Sequence, residues 1–234
     1  MKSLRLAGIT LIATSLGFVV IFAYLASHFG YPEVLQGSAA EVLPRFVAGG
    51  SKLRAVWIAY ALLPAGIAIA ARWIRPLLFA AGERVARWGT LAGSLSAVSM
   101  TLGLARWPTL NHALGERYLT APEAEQARLA AWFDTGNLVL GNLIGELCGE
   151  LSLSAWFLAL GLALVRGSRA WRLTGYLALF TALSMVIGAL RNLTTAVALV
   201  AAFDNTLLPV FLITLGCVLL LSPAGTSKSA ADRA

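Results

Sequence analysis

The chain has 234 residues, of which 59% are hydrophobic and only 12% are charged, and its formal net charge is +7. A soluble domain usually carries about a quarter charged residues, so this composition excludes an ordinary soluble protein. The apolar residues form long blocks separated by basic loops, which predicts an all-α, polytopic transmembrane helical bundle. The short alternating segments of a transmembrane β-barrel do not occur in the sequence.

Six apolar blocks predict six membrane spans. In chain order they lie near residues 4–27, 55–71, 86–105, 138–165, 173–190 and 206–221. Most are long enough to cross a hydrocarbon core of ~30 Å at ~1.5 Å of rise per residue. The second block is the shortest and contains Pro64, which predicts a kink in that span. The first block has a basic start but is too long for a signal peptide, so we expect an uncleaved span.

The loops between the blocks predict the orientation of the bundle. With the N-terminus inside, 11 of the 18 lysines and arginines lie on the inner side, and the remaining 7 lie in the longer outer loops. Because basic residues accumulate in cytoplasmic loops, we expect both termini in the cytoplasm. We expect one transmembrane domain over residues 1–222 and a short cytoplasmic tail over residues 223–234.

Tryptophans and capping motifs refine this topology. Six of the seven tryptophans fall beside a predicted span end, so we expect them at the membrane interfaces and only Trp156 within a span. Two outer loops carry a capping box, in which Ser38 precedes Glu41 and Thr120 precedes Glu123 by three residues. Each motif predicts a short amphipathic helix that packs on the outer surface of the bundle.

The fourth predicted span contains polar side chains that are costly in a membrane. Over residues 141–150, two stripes recur at a helical spacing of four residues. One stripe consists of Gly141, Gly145 and Gly149, and the neighbouring stripe consists of Asn142, Glu146 and Glu150. Small residues allow a neighbouring helix to approach closely, so the first stripe would bring that helix beside two carboxylates.

Two arginines are expected at the depth of these carboxylates. Arg106 and Arg191 each end an apolar block that is about one membrane thickness long, as judged from the helix rise. Charged groups inside a membrane are rare and usually functional, and arginine can bind a carboxylate bidentately. We therefore predict an outward-opening polar pocket. Its residues are Glu146, Glu150, Arg106, Arg191 and Asn142, with Asn192 and Ser184 as further lining residues. The alternative is that the same charges form structural ion pairs or extend to the headgroups.

Other classes of function have no support in the sequence. Motifs for catalysis or phosphate binding do not occur, so we expect no enzymatic activity and no cofactor. Cys148 and Cys217 lie within apolar blocks without metal-ligand spacing, and His28 and His112 fall at the outer edge, so we expect no metal site. The positive charge lies in the loops of a membrane protein, and we expect no nucleic-acid partner.

Three stretches resemble a bacterial family of six-span membrane proteins. They are YPEVL with EVLPRFVAGG in the first outer loop, GLARWP after the third predicted span, and the segment of residues 141–149. These stretches cover a minor part of the chain and are similar to the domain-of-unknown-function 4386 family. The resemblance implies the fold and a location in the inner (plasma) membrane of a bacterium, and it implies a site role for Glu146 and Arg106. It implies no activity.

Two functional hypotheses remain open beside a third, a b-type electron carrier, which would need two facing histidines within the bundle. In the first, the protein binds or transports a small solute or protons through a pocket around Glu146 and Glu150. Because six spans make a small transporter and no inverted repeat is visible, this hypothesis favours a homo-oligomer. In the alternative, the chain is a non-catalytic accessory or structural membrane protein, and its outer helices contact a membrane partner. The lipid bilayer is the common partner in both hypotheses.

Overall fold

The structure is a computed structural model. It describes residues 2–221, apart from the side chain of Asn192; the predicted tail over residues 223–234 lies outside the described residues. The α-helices of the described part are α1 Lys2–Phe29, α2 Ala39–Ala48, α3 Gly50–Leu62, α4 Pro64–Leu78, α5 Glu83–Ala105, α6 His112–Tyr118, α7 Glu123–Gly136, α8 Gly149–Leu164, α9 Arg169–Ala189 and α10 Ala198–Leu221. Within residues 2–221 there is no strand, so the all-α prediction is confirmed.

Two π-helical segments adjoin these helices, Trp107–Asn111 after α5 and Asn137–Cys148 before α8. Short 3-10 turns lie at Glu33–Gln36, Phe79–Ala81, Leu190–Asn192 and Thr195–Val197. At the predicted kink, α3 ends at Leu62 and α4 begins at Pro64, which occupies the first turn of the new helix. Proline lacks the amide proton that a continuous helix would need there. The helix is therefore interrupted at the predicted position, and the kink itself stays a prediction.

Five helical stretches of the described chain are long and apolar enough to cross a membrane. They are Lys2–Phe29, Gly50–Ala81, Glu123–Leu164, Arg169–Ala189 and Thr195–Leu221. The predicted third span is helix α5, which has 23 residues but is less apolar than these five. Its buried face consists of small residues, among them Gly93, Ser96 and Ser99, because it packs closely against its neighbours. The structure therefore supports a helical membrane protein, and the number of six spans stays a prediction.

The two predicted surface helices have different outcomes. The first capping box is confirmed, since the Ser38 amide donates to Glu41 Oε2 at 3.1 Å and α2 begins at Ala39. The second is wrong: Pro122 occupies the cap position in an extended conformation, and α7 begins after it at Glu123. Thr120 instead donates to the Arg117 carbonyl oxygen at 3.4 Å. Helix α7 is also not a separate surface helix, because it continues through the π-helical segment into α8.

Six helices form a closed ring in chain order. Each of α1, α4, α5, α8 and α9 packs on the next member, and α10 packs back on α1. Glycines permit the closest contacts: a Cβ on Gly8 would lie 2.7 Å from the Gly216 carbonyl oxygen. Likewise, a Cβ on Gly93 would lie 2.7 Å from Ala71 Cβ and 3.1 Å from the ring of Trp156. Small residues thus set the spacing of the ring, as expected for helices in a membrane.

Two apolar clusters fill most of the bundle. The first occupies the half near the chain ends and includes Trp156 and a T-shaped contact between Phe157 and Phe211, whose ring centroids are 4.6 Å apart. The second is an aromatic cluster between α2, α3 and the segment after α5. In it Trp57 and Trp107 stack at 4.8 Å. A polar cavity lies between these clusters.

The aromatic cluster overturns part of the tryptophan prediction. Trp57 and Trp107 are only 0% and 1% exposed, so they are core residues and not interface anchors. Trp171 is buried as well, whereas Trp88 and Trp132 are exposed. The reason is that α2 and α6 pack on each other across this end of the bundle and cover the rings, which a linear sequence does not reveal.

Candidate functional site

A cavity of about 210 Å³ lies inside the ring. Its polar wall consists of Tyr31, Tyr60, Arg106, Glu146, Glu150 and Arg191. Its apolar wall includes Phe18, Val19 and Phe22 of α1 and Leu208 and Leu212 of α10. The four charged residues that the sequence singles out therefore line one cavity, and a set of apolar side chains faces them.

An ion-pair network forms one side of the polar wall. The Arg191 guanidinium donates to both carboxylate oxygens of Glu150, at 2.6 and 2.7 Å, and to Glu146 Oε2 at 3.1 Å. It also donates to the Gly188 carbonyl oxygen at 3.2 Å. Glu150 thus has both oxygens bound to one cation, whereas Glu146 uses one oxygen. The second oxygen of Glu146 has no ion-pair partner among the described residues.

Arg106 forms the other charged part of the wall. Its side chain is 6% exposed, donates through Nε to Asn137 Oδ1 at 3.0 Å, and donates through Nη1 to the Gly103 carbonyl oxygen at 2.5 Å. Within residues 2–221, no carboxylate lies within ion-pair distance of it. Its guanidinium also lies 5.4 Å from the ring of Trp107. Arg106 is thus a buried cation whose charge is not neutralised by direct contact.

The glycine stripe of the fourth span explains how Arg106 fits. A Cβ on Gly141 would lie 2.8 Å from Arg106 Cζ, and a Cβ on Gly145 would lie 2.8 Å from Gly103 Cα. One turn further along, a Cβ on Gly149 would lie 3.0 Å from Met100 Cγ. The stripe therefore contacts α5 and its extension at three successive turns, and it brings Arg106 to the level of Glu146. This close approach follows the expectation from the sequence.

The cavity reaches the molecular surface between α1 and α10. Val19 and Asn205 both line it, and both are exposed. Towards the chain ends, the gap between the two helices closes where the buried Ser15 hydroxyl donates to the Pro209 carbonyl oxygen at 3.1 Å. This surface opening lies at the side of the bundle, between its first and last helices, and the predicted opening to the outer side of the membrane stays a prediction.

Two tyrosines complete the polar wall, and the sequence reasoning missed both. Tyr31 packs edge-on against Phe22 at 5.3 Å and against Tyr60 at 6.2 Å. Burial, with a smaller contribution from the negative charge of Glu146, raises the pKa of Tyr31 to about 12. Its hydroxyl therefore stays protonated at neutral pH and can donate a hydrogen bond.

Several predicted or overlooked residues need correction. Asn142 does not line the cavity, whereas Gly141 and Gly145 of the neighbouring stripe do. Asn137 takes part instead, as the partner of Arg106. The Ser184 hydroxyl donates to Asp204 Oδ1 at 2.5 Å, away from the cavity lining. The side chain of Asn192 lies outside the described residues.

Asp204, which lies outside the six predicted blocks, is only 8% exposed. The last span begins earlier than the apolar block suggests, since α10 starts at Ala198, so Asp204 lies more than one turn inside the helix. Asp204 directly follows Ala201, Ala202 and Phe203, and this apolar stretch was the available signal for its burial. Among the described residues, no group of three or more His, Cys, Asp or Glu is placed to hold a metal ion.

The comparison with known families covers nearly the whole chain. A family model described as a domain of unknown function, DUF4386, matches residues 6–221. This match confirms the resemblance seen in the sequence. No protein of curated function and no solved structure matches the chain.

Proposed function

The chain belongs to the DUF4386 family, whose function is unknown, and we propose from the geometry of its cavity that it binds a small amphipathic zwitterion, such as an apolar α-amino acid, and moves it across the membrane. The observation that carries this proposal is the composition of the cavity wall, with separate cationic, anionic and apolar parts. The site has no catalytic constellation, so we propose binding and transport without enzymatic chemistry.

The charge of the wall favours a solute without net charge. Glu146, Glu150, Arg106 and Arg191 carry a total formal charge of zero. An ion of either sign would leave an uncompensated charge in a medium of low dielectric constant, which is costly. A zwitterion adds no net charge, and its two charged groups can bind the cationic and the anionic parts of the wall.

Each part of the wall suits one part of such a solute. Arg106 has no carboxylate partner among residues 2–221, so it can donate hydrogen bonds to the carboxylate of the solute, as can the Tyr31 hydroxyl. Glu146 has one oxygen outside its ion pair with Arg191, so it can bind the ammonium group. Phe18 and Leu208 then face the apolar side chain.

The volume limits the solute to a small molecule. Drug-sized ligands occupy pockets of roughly 300–1,000 Å³, whereas a cavity of roughly 150 Å³ holds benzene. A cavity of about 210 Å³ therefore suits a molecule of the size of leucine or smaller. The opening between α1 and α10 provides a lateral route to it.

The topology that we propose has six spans with both termini in the cytoplasm of a bacterial cell. Gly8 of α1 packs against Gly216 and Leu220 of α10, so the first and last helices run antiparallel and the described chain starts and ends on one side. Both ends lie on one side of the membrane only if the number of spans is even. We propose that α5 is the sixth span, in addition to the five long apolar stretches. The excess of basic residues in the predicted inner loops favours that side as the cytoplasm.

The binding proposal is tested with three related probes. Thermal unfolding of the purified protein in detergent is followed with each probe in turn. Leucine carries both charges, N-acetylleucine lacks the positive charge, and leucinamide lacks the negative charge. We expect leucine alone to raise the unfolding midpoint, and we expect Arg106→Gln and Glu146→Gln each to abolish the shift. Arg117→Gln, at an exposed ion pair with Glu125, is the matched control and should keep it. Equal shifts with all three probes, or none, would contradict the proposal.

A second candidate function rests on the ion pairs themselves. The bidentate contact of Arg191 with Glu150 joins the end of α9 to α8, as it would in an accessory or structural membrane protein. Glu146→Gln separates the two candidates. A structural role predicts mainly a loss of stability, whereas a transport role predicts a folded variant that no longer takes up labelled leucine into proteoliposomes.

A further inference from the structure

A second groove lies between α4 and α5, at the end of α5 that is opposite the cavity. Its volume is about 600 Å³. Three arginines line it, Arg72 and Arg75 from α4 and Arg87 from α5, together with Phe79, Thr90 and Ser94. The hairpin that joins the two helices turns at Gly82, whose φ of +108° is a conformation that favours glycine. The turn brings basic side chains of both helices into one groove.

The three arginines have no acidic partner in the described chain. None of the ion pairs among residues 2–221 involves them, although each is exposed and free to reach an anion. Two of them lie over aromatic rings, with Arg75 5.5 Å from the ring of Phe79 and Arg87 5.3 Å from the ring of Trp88. Such contacts hold a guanidinium beside an apolar surface while its donors stay available.

An apolar stripe continues from this groove along α5. Leu91, Leu95, Val98 and Leu102 recur at helical spacing, and all four are exposed. Leu91 itself lines the groove. Exposed Trp88 lies beside it, and tryptophan is typical of the headgroup level of a membrane. The positive groove and the apolar stripe are therefore parts of one continuous surface.

We infer that this groove binds the phosphate-bearing headgroup of an anionic phospholipid, whose acyl chains lie along the apolar stripe of α5. Guanidinium groups bind phosphate oxygens through paired hydrogen bonds, and basic pockets between membrane helices are suited to anionic lipid headgroups. The stripe distinguishes a lipid from a free phosphate ion, because only a lipid covers it. The hydroxyls of Thr90 and Ser94 donate to the carbonyl oxygens of Ala86 and Thr90, so their own oxygens can accept a hydrogen bond from a glycerol headgroup.

The test compares lipids on the full-length protein in detergent. The unfolding midpoint is measured with added phosphatidylglycerol, with phosphatidylcholine of the same chains, and with free glycerol 1-phosphate. We expect phosphatidylglycerol to raise the midpoint, whereas the other two have little effect. Equal stabilisation by phosphatidylcholine would show that the headgroup charge is irrelevant, and equal stabilisation by glycerol 1-phosphate would show that the acyl chains are irrelevant. Either result would overturn the inference.

A matched pair of variants locates the site. The groove variant is Arg72→Gln, Arg75→Gln and Arg87→Gln combined. The control combines Arg166→Gln, Arg169→Gln and Arg172→Gln, which removes the same charge from exposed positions after α8 and in the first turn of α9. We expect the groove variant to bind phosphatidylglycerol about a hundredfold more weakly, from three basic contacts, and the control to bind it like the wild type. Equal losses in both would mean a general charge effect and would overturn the site.

A measurement on the wild type tests the inference even if the groove variant fails to fold. Quenching of tryptophan fluorescence by brominated phosphatidylglycerol is compared with quenching by brominated phosphatidylcholine, in the wild type and in Trp88→Phe. We expect stronger quenching by the anionic lipid in the wild type, and we expect this difference to disappear in Trp88→Phe. A difference that persists in Trp88→Phe would place the lipid elsewhere.

Discussion

The guanidinium of Arg191 contacts both carboxylate oxygens of Glu150, at 2.6 and 2.7 Å, and thereby ties the end of α9 to α8. The two side chains are 28% and 19% exposed, so water screens the pair only in part. The same guanidinium reaches Glu146, which makes Arg191 the single cation in direct contact with two carboxylates within the described chain. Its removal therefore affects more than one bond.

The first prediction concerns this pair. Arg191→Gln leaves two neighbouring carboxylates without their cation, so we expect a loss of roughly 1–3 kcal/mol in the free energy of unfolding. Adding Glu150→Gln to that variant removes one of the two stranded charges and should recover part of the loss. The measurement is a double-mutant cycle from denaturant unfolding in detergent micelles. Strict additivity of the two single changes would mean that the pair is not energetically coupled.

The second prediction concerns the contact of α5 with the π-helical segment. Gly145→Ala puts a Cβ against the backbone of Gly103, which cannot move aside, and we expect a cost of about 1–3 kcal/mol. The matched control is Gly17→Ala, whose Cβ would meet only the flexible end of Leu63. Its effect should stay within about 1 kcal/mol. The measurement is the thermal unfolding midpoint of each variant. Similar midpoints for the two variants would contradict the close approach of Gly145 to Gly103.

The third prediction concerns the aromatic cluster. Trp107→Ala removes a ring that is 1% exposed and stacked on Trp57, so we expect a loss of about 3–5 kcal/mol. Trp132→Ala removes a ring that is 62% exposed, and its effect should be within about 0.5 kcal/mol. If both tryptophans were interface anchors, as the sequence suggests, the two variants would lose similar amounts of stability.

The fourth prediction concerns the titration of Tyr31. Since the pKa of Tyr31 is raised to about 12 from an ordinary value of 10.0, the folded protein holds this proton more tightly than the unfolded chain does. Its contribution to stability is therefore complete below pH 10 and is lost as the pH rises from 10 to 12. Absorbance of tyrosinate at 295 nm should show the same step near pH 10 in the wild type and in Tyr31→Phe. A smaller step in the variant would contradict the raised pKa.

Counting along the sequence predicted the main features of the site but not its boundaries. The glycine stripe and the helix rise placed Glu146, Glu150, Arg106 and Arg191 at one depth, and the structure puts all four around one cavity. These estimates work because a membrane helix has a fixed rise per residue. Such depth estimates apply only along long helices.

The residues that the sequence missed depend on how loops and helix ends fold. Tyr31 lies just after α1, and it reaches the cavity because the following segment folds back across the bundle. Asn137 contacts Arg106, whereas Asn142 does not line the cavity. Asp204 became buried because α10 starts before its apolar block. No periodicity in the sequence carries this information.

The closed ring has a consequence for biosynthesis. Every member of the ring except α1 meets its predecessor as soon as it emerges from the ribosome, because neighbours in the ring are neighbours in the chain. The contact of α10 with α1 is the exception, and it must wait until the last span has been made. Until then, the charged wall of the cavity faces an incomplete bundle. The contact between α1 and α10 is thus the last to form, and it lies where the cavity of the finished protein opens at the side of the bundle.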